Sequence, residues 1–180
     1  MKLKIEKTAI ADLFVFKPEI YSDKRGILSE TYNKFLFDKL LDGINFIQDN
    51  ESVSQYGVIR GLHFQKKPFE HSKLVRVVKG EIQDVAVDLR IKSKTYKKYF
   101  SIILNDKNRK QLFIPKGFAH GFLVLSKTAI VSYKMDGPFN AKYNMGIRYD
   151  DSTIGINWMI NENDIILSDK DKNLSFLGDL

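Results

Sequence analysis

Cysteine is absent from the 180-residue sequence. This absence excludes disulfide scaffolds, thiol catalysis and cysteine-based zinc sites, and it fits a reducing compartment. No apolar run approaches the roughly 20 residues that cross a bilayer. The apolar stretch near the start is interrupted by Asp12, and no small-residue cleavage site follows it before Pro18. We therefore expect no secretion signal and no membrane association, and we predict a cytoplasmic protein.

The usual signals for binding dinucleotides or nucleic acids are also missing. The sequence has neither a Gly-x-Gly-x-x-Gly run nor a phosphate-loop motif. Its lysines are scattered among acidic residues, without a zinc finger, an RNA-recognition signature or a long basic helix. We therefore predict no nucleic-acid partner. The net charge of +7 indicates a solvated surface that suits a small anionic ligand.

The composition is that of an ordinary globular protein. Hydrophobic residues make up 43% of the sequence and charged residues 28%, which excludes disordered and collagen-like chains. No low-complexity tract or internal repeat marks a boundary. We therefore predict one domain over residues 1–180, long enough to bury a sizeable core.

Short β-type runs separated by turn residues dominate the sequence. Glycine accepts positive φ, so Lys79-Gly80 predicts a tight turn, and residues 105–108 predict a polar one. One helix is predicted over residues 34–41. Many strands with few helices indicate an all-β sandwich, jelly roll or barrel, and exposed sheet edges favour a dimer. The predicted strands are residues 74–78, 82–89, 99–104, 111–114, 121–125 and 129–135.

The three histidines, His63, His71 and His120, are the first candidates for chemistry. His120 ends a Pro-x-Gly-x-x-His run that resembles the second signature of cupins, a jelly-roll family that commonly binds metal. The first cupin signature has His-x-His and then Glu, whereas Gln65 replaces the second histidine here and Glu70 lies near the expected glutamate. Transition metals prefer three or four ligands, so we predict no metal. Acid–base chemistry and a buried, hydrogen-bonded histidine both remain open.

A series of stretches, taken in order, carries a resemblance over nearly the whole chain. The most specific is Arg60-Gly61-Leu62-His63-Phe64-Gln65. Together the stretches resemble the dTDP-4-dehydrorhamnose 3,5-epimerase family, cupin-type jelly rolls of nucleotide-sugar biosynthesis. This resemblance implies a cupin-like jelly-roll barrel with a few short helices and a strand-exchanging homodimer. The stretches are residues 22–26 with Glu30, 48–50, 60–65, 73–80, 84–90, 111–122, 133–134, 146–151, 155–158 and 167–171.

The resemblance implies a cofactor-free epimerase of a nucleotide-diphosphate 4-keto-6-deoxy sugar for surface polysaccharide synthesis. The carbonyl acidifies the hydrogens on C3 and C5, so inversion needs a base, an enolate stabiliser and an acid on the opposite face. By resemblance His63 is the base and Asp171 is the carboxylate that orients its ring. Tyr133 is the opposing acid. Lys73 places positive charge at the enolate oxygen.

The same resemblance implies residues that hold the substrate, some of them contributed by the partner subunit. Arg60 and His120 would contact the sugar diphosphate, since guanidinium suits phosphate. The nucleotide would be held by Gln48, Asn50, Arg25, Glu30 and Tyr21. The chain departs from the family pattern at residues 70–72, at Phe139 in place of a tyrosine and at Tyr149 in place of a tryptophan.

These departures leave the sugar and the nucleotide open. One alternative is a C3-only or C3 and C5 epimerase of a GDP-linked 4-keto-heptose for capsule. Further alternatives are a 3,4-ketoisomerase on a related barrel and a non-catalytic sugar-binding cupin, because one barrel hosts many functions. His63 and Tyr133 together favour the epimerase. No role is assigned to His71.

Overall fold

The computed structural model describes residues 3–180, so the first two residues of the predicted domain lie outside the described part. Two short α-helices interrupt a chain of strands. Three single-turn 3-10 helices follow the last long strand, at Ala141–Tyr143, Glu162–Asp164 and Leu177–Asp179. In chain order the strands and α-helices are β1 (Leu3–Lys7), β2 (Phe14–Pro18), β3 (Tyr21–Asp23), β4 (Gly26–Leu28), α1 (Lys34–Leu40), β5 (Gln48–Gln55), β6 (Ile59–Gln65), β7 (Lys73–Lys79), β8 (Glu81–Asp88), β9 (Tyr99–Asn105), β10 (Gln111–Ile114), β11 (Phe118–Val124), β12 (Thr128–Met135), β13 (Asn144–Gly146) and α2 (Asp169–Lys172).

The strands build two antiparallel sheets and one separate hairpin. The first sheet has the order β1-β2-β10-β7-β12-β5, and the second has the order β13-β6-β11-β8-β9. Neighbouring strands come from distant parts of the chain: β7, for example, lies between β10 and β12. Within residues 3–180, β3 and β4 pair only with each other. The expected all-β architecture is confirmed.

The predicted strands correspond to β7 to β12. The prediction over residues 111–114 matches β10, and the other five differ from the observed strands by one to three residues at an end. The tight turn at Lys79-Gly80 is confirmed, since Gly80 has a φ of +84°. A Cβ at Gly80 would lie 2.2 Å from the carbonyl oxygen of Thr128. Only glycine therefore fits this turn without a shift of the backbone.

The helix predicted over residues 34–41 is α1, which ends one residue earlier. Asn33 caps it, because its side-chain oxygen accepts a hydrogen bond from the Leu36 amide at 3.3 Å. Phe37 packs against Phe16, with ring centroids 5.1 Å apart, and so fixes the helix on the outer face of the first sheet. Among the described residues, no helix has the length and apolar character that crossing a membrane requires.

The main core lies between the two sheets. Val75, Leu112 and Val131 fill it from the first sheet, and Ile82 and Leu104 fill it from the second. The segment after β13 packs on the outer face of the second sheet, where Ile154 and Trp158 meet Val85 and Val87. Burial of both faces explains why seven of the eight residues of β8 are buried. The second sheet is therefore covered on both sides at β8, and α1 covers part of the outer face of the first.

Leu112 allows a direct test of this core. Its side chain is fully buried between the sheets, so Leu112→Ala should lower the free energy of unfolding by about 2–5 kcal/mol. Ile91, which is 81% exposed, gives the control, and Ile91→Ala should change it by less than about 0.5 kcal/mol. Chemical denaturation followed by circular dichroism measures both. Equal effects of the two substitutions would contradict the core assignment.

Candidate active site

One cavity of about 260 Å³ opens between the two sheets. Its walls come from β5, β7 and β12 of the first sheet and from β6 and β11 of the second, and the segment that includes α2 closes one side. Most of the lining side chains are polar or charged, in contrast to the apolar core beside them. This combination of an enclosing barrel and a few convergent polar groups is typical of a ligand site.

Strand register places two histidines side by side on one wall. β6 and β11 are antiparallel neighbours, and His63 pairs directly with His120. On the facing sheet β7 and β12 pair so that Lys73 lies opposite Met135 and Tyr133 lies opposite Val75. The ammonium of Lys73 is 5.9 Å from the centroid of the Tyr133 ring. Imidazole groups and the phenol therefore enter the same cavity from different sheets.

His63 is held by a carboxylate from near the end of the chain. Its Nε2 lies 2.6 Å from Oδ1 of Asp171, a short, charge-assisted contact. Ser168 caps α2 by accepting a hydrogen bond from the Asp171 amide at 3.1 Å, which fixes the position of the carboxylate. Burial alone would raise the pKa of Asp171, but the hydrogen bond and charge of His63 and a hydrogen bond from Ser168 lower it. Asp171 is therefore an ionised partner for an imidazole that takes up a proton.

A second histidine–carboxylate pair lies deeper in the same wall. Nε2 of His120 is 2.7 Å from Oδ1 of Asp84, and both side chains are buried. Burial lowers the pKa of His120. The negative charge of Asp84 opposes this shift, and the positive charge of Lys73 adds to it. Burial also lowers the pKa of Lys73 to about 8, and again Asp84 opposes the shift. At neutral pH Lys73 is a half-buried cation, and its ammonium has no hydrogen bond within residues 3–180.

Arg60 and Tyr133 complete the polar lining. Nε of Arg60 donates to the hydroxyl of Ser54 at 2.9 Å, which leaves the two terminal nitrogens of the guanidinium for a ligand. Burial raises the pKa of Tyr133, although the charge of Arg60 opposes it. The phenol is therefore protonated at neutral pH and can donate a proton to a strongly basic carbon.

Comparison with known proteins identifies the group to which this arrangement belongs. The family model described as dTDP-4-dehydrorhamnose 3,5-epimerase matches residues 7–179. The chain belongs to this family. A dTDP-4-dehydrorhamnose 3,5-epimerase from Methanothermobacter thermautotrophicus is 48% identical over 169 residues, which cover 93% of this chain and 90% of the relative. The predicted family and the predicted enzyme class, a nucleotide-sugar epimerase, are thereby confirmed.

Solved structures of the 3,5-epimerase family have the same fold. The crystal structure of a dTDP-4-dehydrorhamnose 3,5-epimerase from Elizabethkingia anophelis superposes with a TM-score of 0.93 at 44% identity, and the match covers 98% of this chain and 97% of that one. A dTDP-6-deoxy-D-glucose-3,5-epimerase from Legionella pneumophila, in complex with dTDP-4-keto-L-rhamnose, gives a TM-score of 0.95 at 40% identity, covering 98% and 94%. The predicted cupin-like jelly roll is confirmed by these neighbours.

Six of the site residues predicted from the 3,5-epimerase resemblance line the one cavity: His63, Asp171, Lys73, Tyr133, Arg60 and His120. Gln48 and Asn50 do not line the cavity. They lie on the same face of β5 as Ser52, which does line it. The amide of Gln48 donates to Asn50 at 3.0 Å, and Asn50 pairs with Tyr133 across the sheet. β5 thus carries a polar row that leads to the cavity.

The remaining predicted residues lie elsewhere on the chain. Tyr21 and Arg25 belong to the exposed β3–β4 hairpin, where Arg25 forms an ion pair with Asp23 at 2.6 Å. They line an open groove that is separate from the cavity of His63. Glu30 accepts a hydrogen bond from Asn33 at 3.1 Å beside α1. A single chain therefore does not bring Tyr21, Arg25 or Glu30 to the cavity, and their roles stay predictions.

The sequence analysis assigned no role to several residues that the structure places at the site. Ser52, Phe122, Ser168 and Lys170 line the cavity, and Asp84 holds His120. Ser52 shares a face of β5 with Gln48 and Asn50, but this alternation becomes visible only once residues 48–55 are known to be a strand. Lys170 and Ser168 flank Asp171 within a run that already matched the family pattern. Phe122 follows His120 by two residues on one strand, so the two share a face.

The position of the second cupin histidine has a different use here. Among residues 3–180, no group of three or more histidine, aspartate or glutamate side chains could hold a metal ion. Gln65, which replaces that histidine, is buried and donates from Nε2 to the carbonyl oxygens of Phe69 and Pro138. The same nitrogen lies 3.0 Å from Nδ1 of His71. His71, to which the sequence assigned no role, is thus a bonded and half-buried residue.

The low pKa of Lys73 gives a test of the site. Because burial favours the neutral amine, the Lys73 ammonium should lose its proton with a midpoint near pH 8, about two units below an ordinary lysine. NMR of protein with ¹³C-labelled lysine follows the titration, and the spectrum of Lys73→Gln assigns the signal. A midpoint at the ordinary lysine value would contradict the buried position.

Proposed function

We propose that this protein inverts C3 and C5 of a dTDP-linked 4-keto-6-deoxy sugar without a cofactor. The observation that supports this most directly is the approach of a carboxylate-bound imidazole and a phenol to one cavity from facing sheets. Epimerisation needs a proton removed from one face of the sugar and returned to the other. A base and an acid on different walls meet this need.

The proposed reaction has two steps at each carbon. His63 removes the proton from carbon, and the electron pair moves into the C–C bond while the carbonyl oxygen becomes an enolate oxygen. The negative charge of Asp171 stabilises the imidazolium that forms. Lys73 stabilises the enolate oxygen. Tyr133 then protonates the carbon from the opposite face, and the imidazolium and the phenolate return to their starting states by exchange of a proton with solvent.

The remaining polar groups of the cavity suit the diphosphate of the substrate. Arg60 offers two terminal nitrogens, and its guanidinium matches phosphate geometry. His120 and Lys170 line the same cavity. Gln48 and Asn50 continue along β5 as hydrogen-bonding groups for the nucleotide. The substrate would therefore lie with its sugar beside His63 and Tyr133 and its nucleotide along β5.

The β3–β4 hairpin supports the proposal of a homodimer. Leu28 is 68% exposed and Ile27 51% exposed on a hairpin that pairs with no other strand of the described chain. Such apolar side chains are typical of a segment that another chain covers. Tyr21, Arg25 and Glu30 would then complete the site of the partner subunit, in the manner of exchanged strands.

Solvent exchange tests the reaction. In deuterated water the protein should convert a dTDP-linked 4-keto-6-deoxy sugar with the gain of two deuterons, one at C3 and one at C5, measured by mass spectrometry and NMR. Gain of one deuteron would indicate a C3-only epimerase. Exchange only with GDP-linked sugars would indicate that the substrate is GDP-linked. A product whose carbonyl has moved to another carbon would indicate a ketoisomerase. Binding without exchange would indicate a sugar-binding protein.

Two substitutions test the roles within that assay. His63→Asn keeps the shape of the base but removes its chemistry, so exchange should fall by about 100- to 10,000-fold. Tyr133→Phe removes only the acid, and the rate of inversion should fall by about 100-fold or more. Tyr56→Phe is the matched control, since Tyr56 lies outside the cavity, and it should retain the wild-type rate. Unchanged rates in both site variants would contradict the assignments.

Mixed dimers test the shared site. We expect a particle of about twice the 20.8 kDa of one chain in sedimentation. Dimers of Arg25→Ala chains and dimers of His63→Asn chains should each be impaired. When the two chains are coexpressed, half of the dimers are mixed and one of the two sites in each mixed dimer is intact, so about a quarter of the wild-type rate should return. Coexpression of His63→Asn chains with Tyr133→Phe chains is the control and should restore no activity. No recovery with Arg25→Ala would place Arg25 in its own chain's site.

A further inference from the structure

The side chain of Gln65 joins residues 66–72 to residues 138–140, two segments that are far apart in sequence. Its Nε2 lies 3.1 Å from the carbonyl oxygen of Phe69, 3.2 Å from that of Pro138 and 3.0 Å from Nδ1 of His71. Its Oε1 accepts a hydrogen bond from the Asn140 amide at 2.7 Å. Gln65 is 5% exposed, so each of these contacts replaces one with water.

These contacts fix the orientation of the Gln65 amide. The Asn140 amide can only donate, so the acceptor Oε1 must face it. The two hydrogens of Nε2 then point towards the carbonyl oxygens of Phe69 and Pro138 and the ring of His71. Burial lowers the pKa of His71 to about 4, and the charge of Lys73 acts in the same direction. A hydrogen bond with the backbone of Phe69 raises the pKa of His71, but the other effects outweigh it.

The joined segments flank two side chains of the cavity. Residues 66–72 lead directly into Lys73 at the start of β7, and residues 136–140 follow β12, which carries Tyr133. Asp136 ties the same segments a second time, since its Oδ1 accepts from the Ser72 amide at 2.5 Å. Gly137 is packed so closely on His71 that a Cβ there would lie 3.2 Å from the His71 Cβ.

Neither Gln65 nor His71 lines the cavity, so any effect on the reaction passes through the segments they hold. No hydrogen bond within residues 3–180 fixes the ammonium of Lys73, and its place depends on the backbone that enters β7. We propose that Gln65 and His71 form a latch that positions Lys73 against Tyr133 for the reaction. This inference rests on the proposed function. Both are positioning residues, because they act through the two groups that meet the substrate.

Gln83 provides a matched control for the latch. It is also a buried glutamine, and its amide donates to Ser101 Oγ at 3.0 Å and to the Asn157 carbonyl at 2.9 Å and accepts from the Met159 amide at 2.8 Å. It therefore fastens a surface segment with a similar set of bonds, away from the cavity. Gln65→Met and Gln83→Met remove comparable hydrogen bonds while keeping similar side-chain length, so they should lower thermal stability to a similar extent.

The two variants should differ in turnover. In Gln65→Met the kcat should fall by about 100-fold, as a displacement near 1 Å does at a reacting group. Its KM should stay within about threefold, because the nucleotide is bound elsewhere. Gln83→Met should keep the wild-type kcat. Equal kcat values for the two folded variants would overturn the latch. A rise in KM with an unchanged kcat in Gln65→Met would overturn it too.

Substitution of His71 keeps the test valid if Gln65→Met fails to fold. His71→Leu cannot form a hydrogen bond and should lose kcat as Gln65→Met does. His71→Asn can place its side-chain amide, which both donates and accepts, near the position of Nδ1, so it should restore most of the turnover. Equal activity of the Leu and Asn variants would overturn the proposal, because a role in packing alone would not separate them.

A readout without substrate separates this proposal from the proposed function. In Gln65→Met or His71→Leu the Lys73 titration midpoint should rise from about 8 towards the ordinary lysine value, and in Gln83→Met it should not. An unchanged midpoint in the latch variants would overturn the positioning of Lys73. A wild-type protein that exchanges no substrate proton would instead overturn the proposed function alone.

Discussion

The contact between His63 and Asp171 is the constraint on which the site depends. It joins side chains 108 residues apart at 2.6 Å, so it forms only when the last part of the chain lies along the second sheet. That placement requires the apolar packing of Ile154 and Trp158 on the outer face of the sheet. The polar contact that holds the base therefore depends on the hydrophobic packing that covers the second sheet.

The two sheets divide the chemistry between them. The second sheet carries both histidines on paired strands, and the first carries Lys73 and Tyr133 on paired strands. Because the core beside the cavity is closely packed and apolar, it holds the walls at a fixed separation. The same low-polarity surroundings lower the pKa of Lys73 and raise that of Tyr133. Burial therefore sets both the geometry and the protonation states.

Local patterns in the sequence predicted the central strands well, because β7 to β12 are rich in β-branched and aromatic residues. They missed β1 to β6 and β13. Among these, β3 and β4 are three residues long and wholly exposed, and the polar residues of β5 resemble a loop. At the site, motif resemblance predicted the six residues that share the cavity. It could not predict that Gln65 reaches Pro138, since 73 residues separate them, and only the assembled barrel brings such positions together.

The position of Asp171 has a consequence for synthesis of the chain. The carboxylate of Asp171 belongs to α2 and lies 25 residues after Gly146, at which both sheets are complete. A growing chain on the ribosome can thus pair all its strands before the partner of His63 has emerged. A nascent barrel that has its phenol and its lysine in place still lacks the carboxylate that supports its imidazole, so the site is complete only after α2 has been made and has packed.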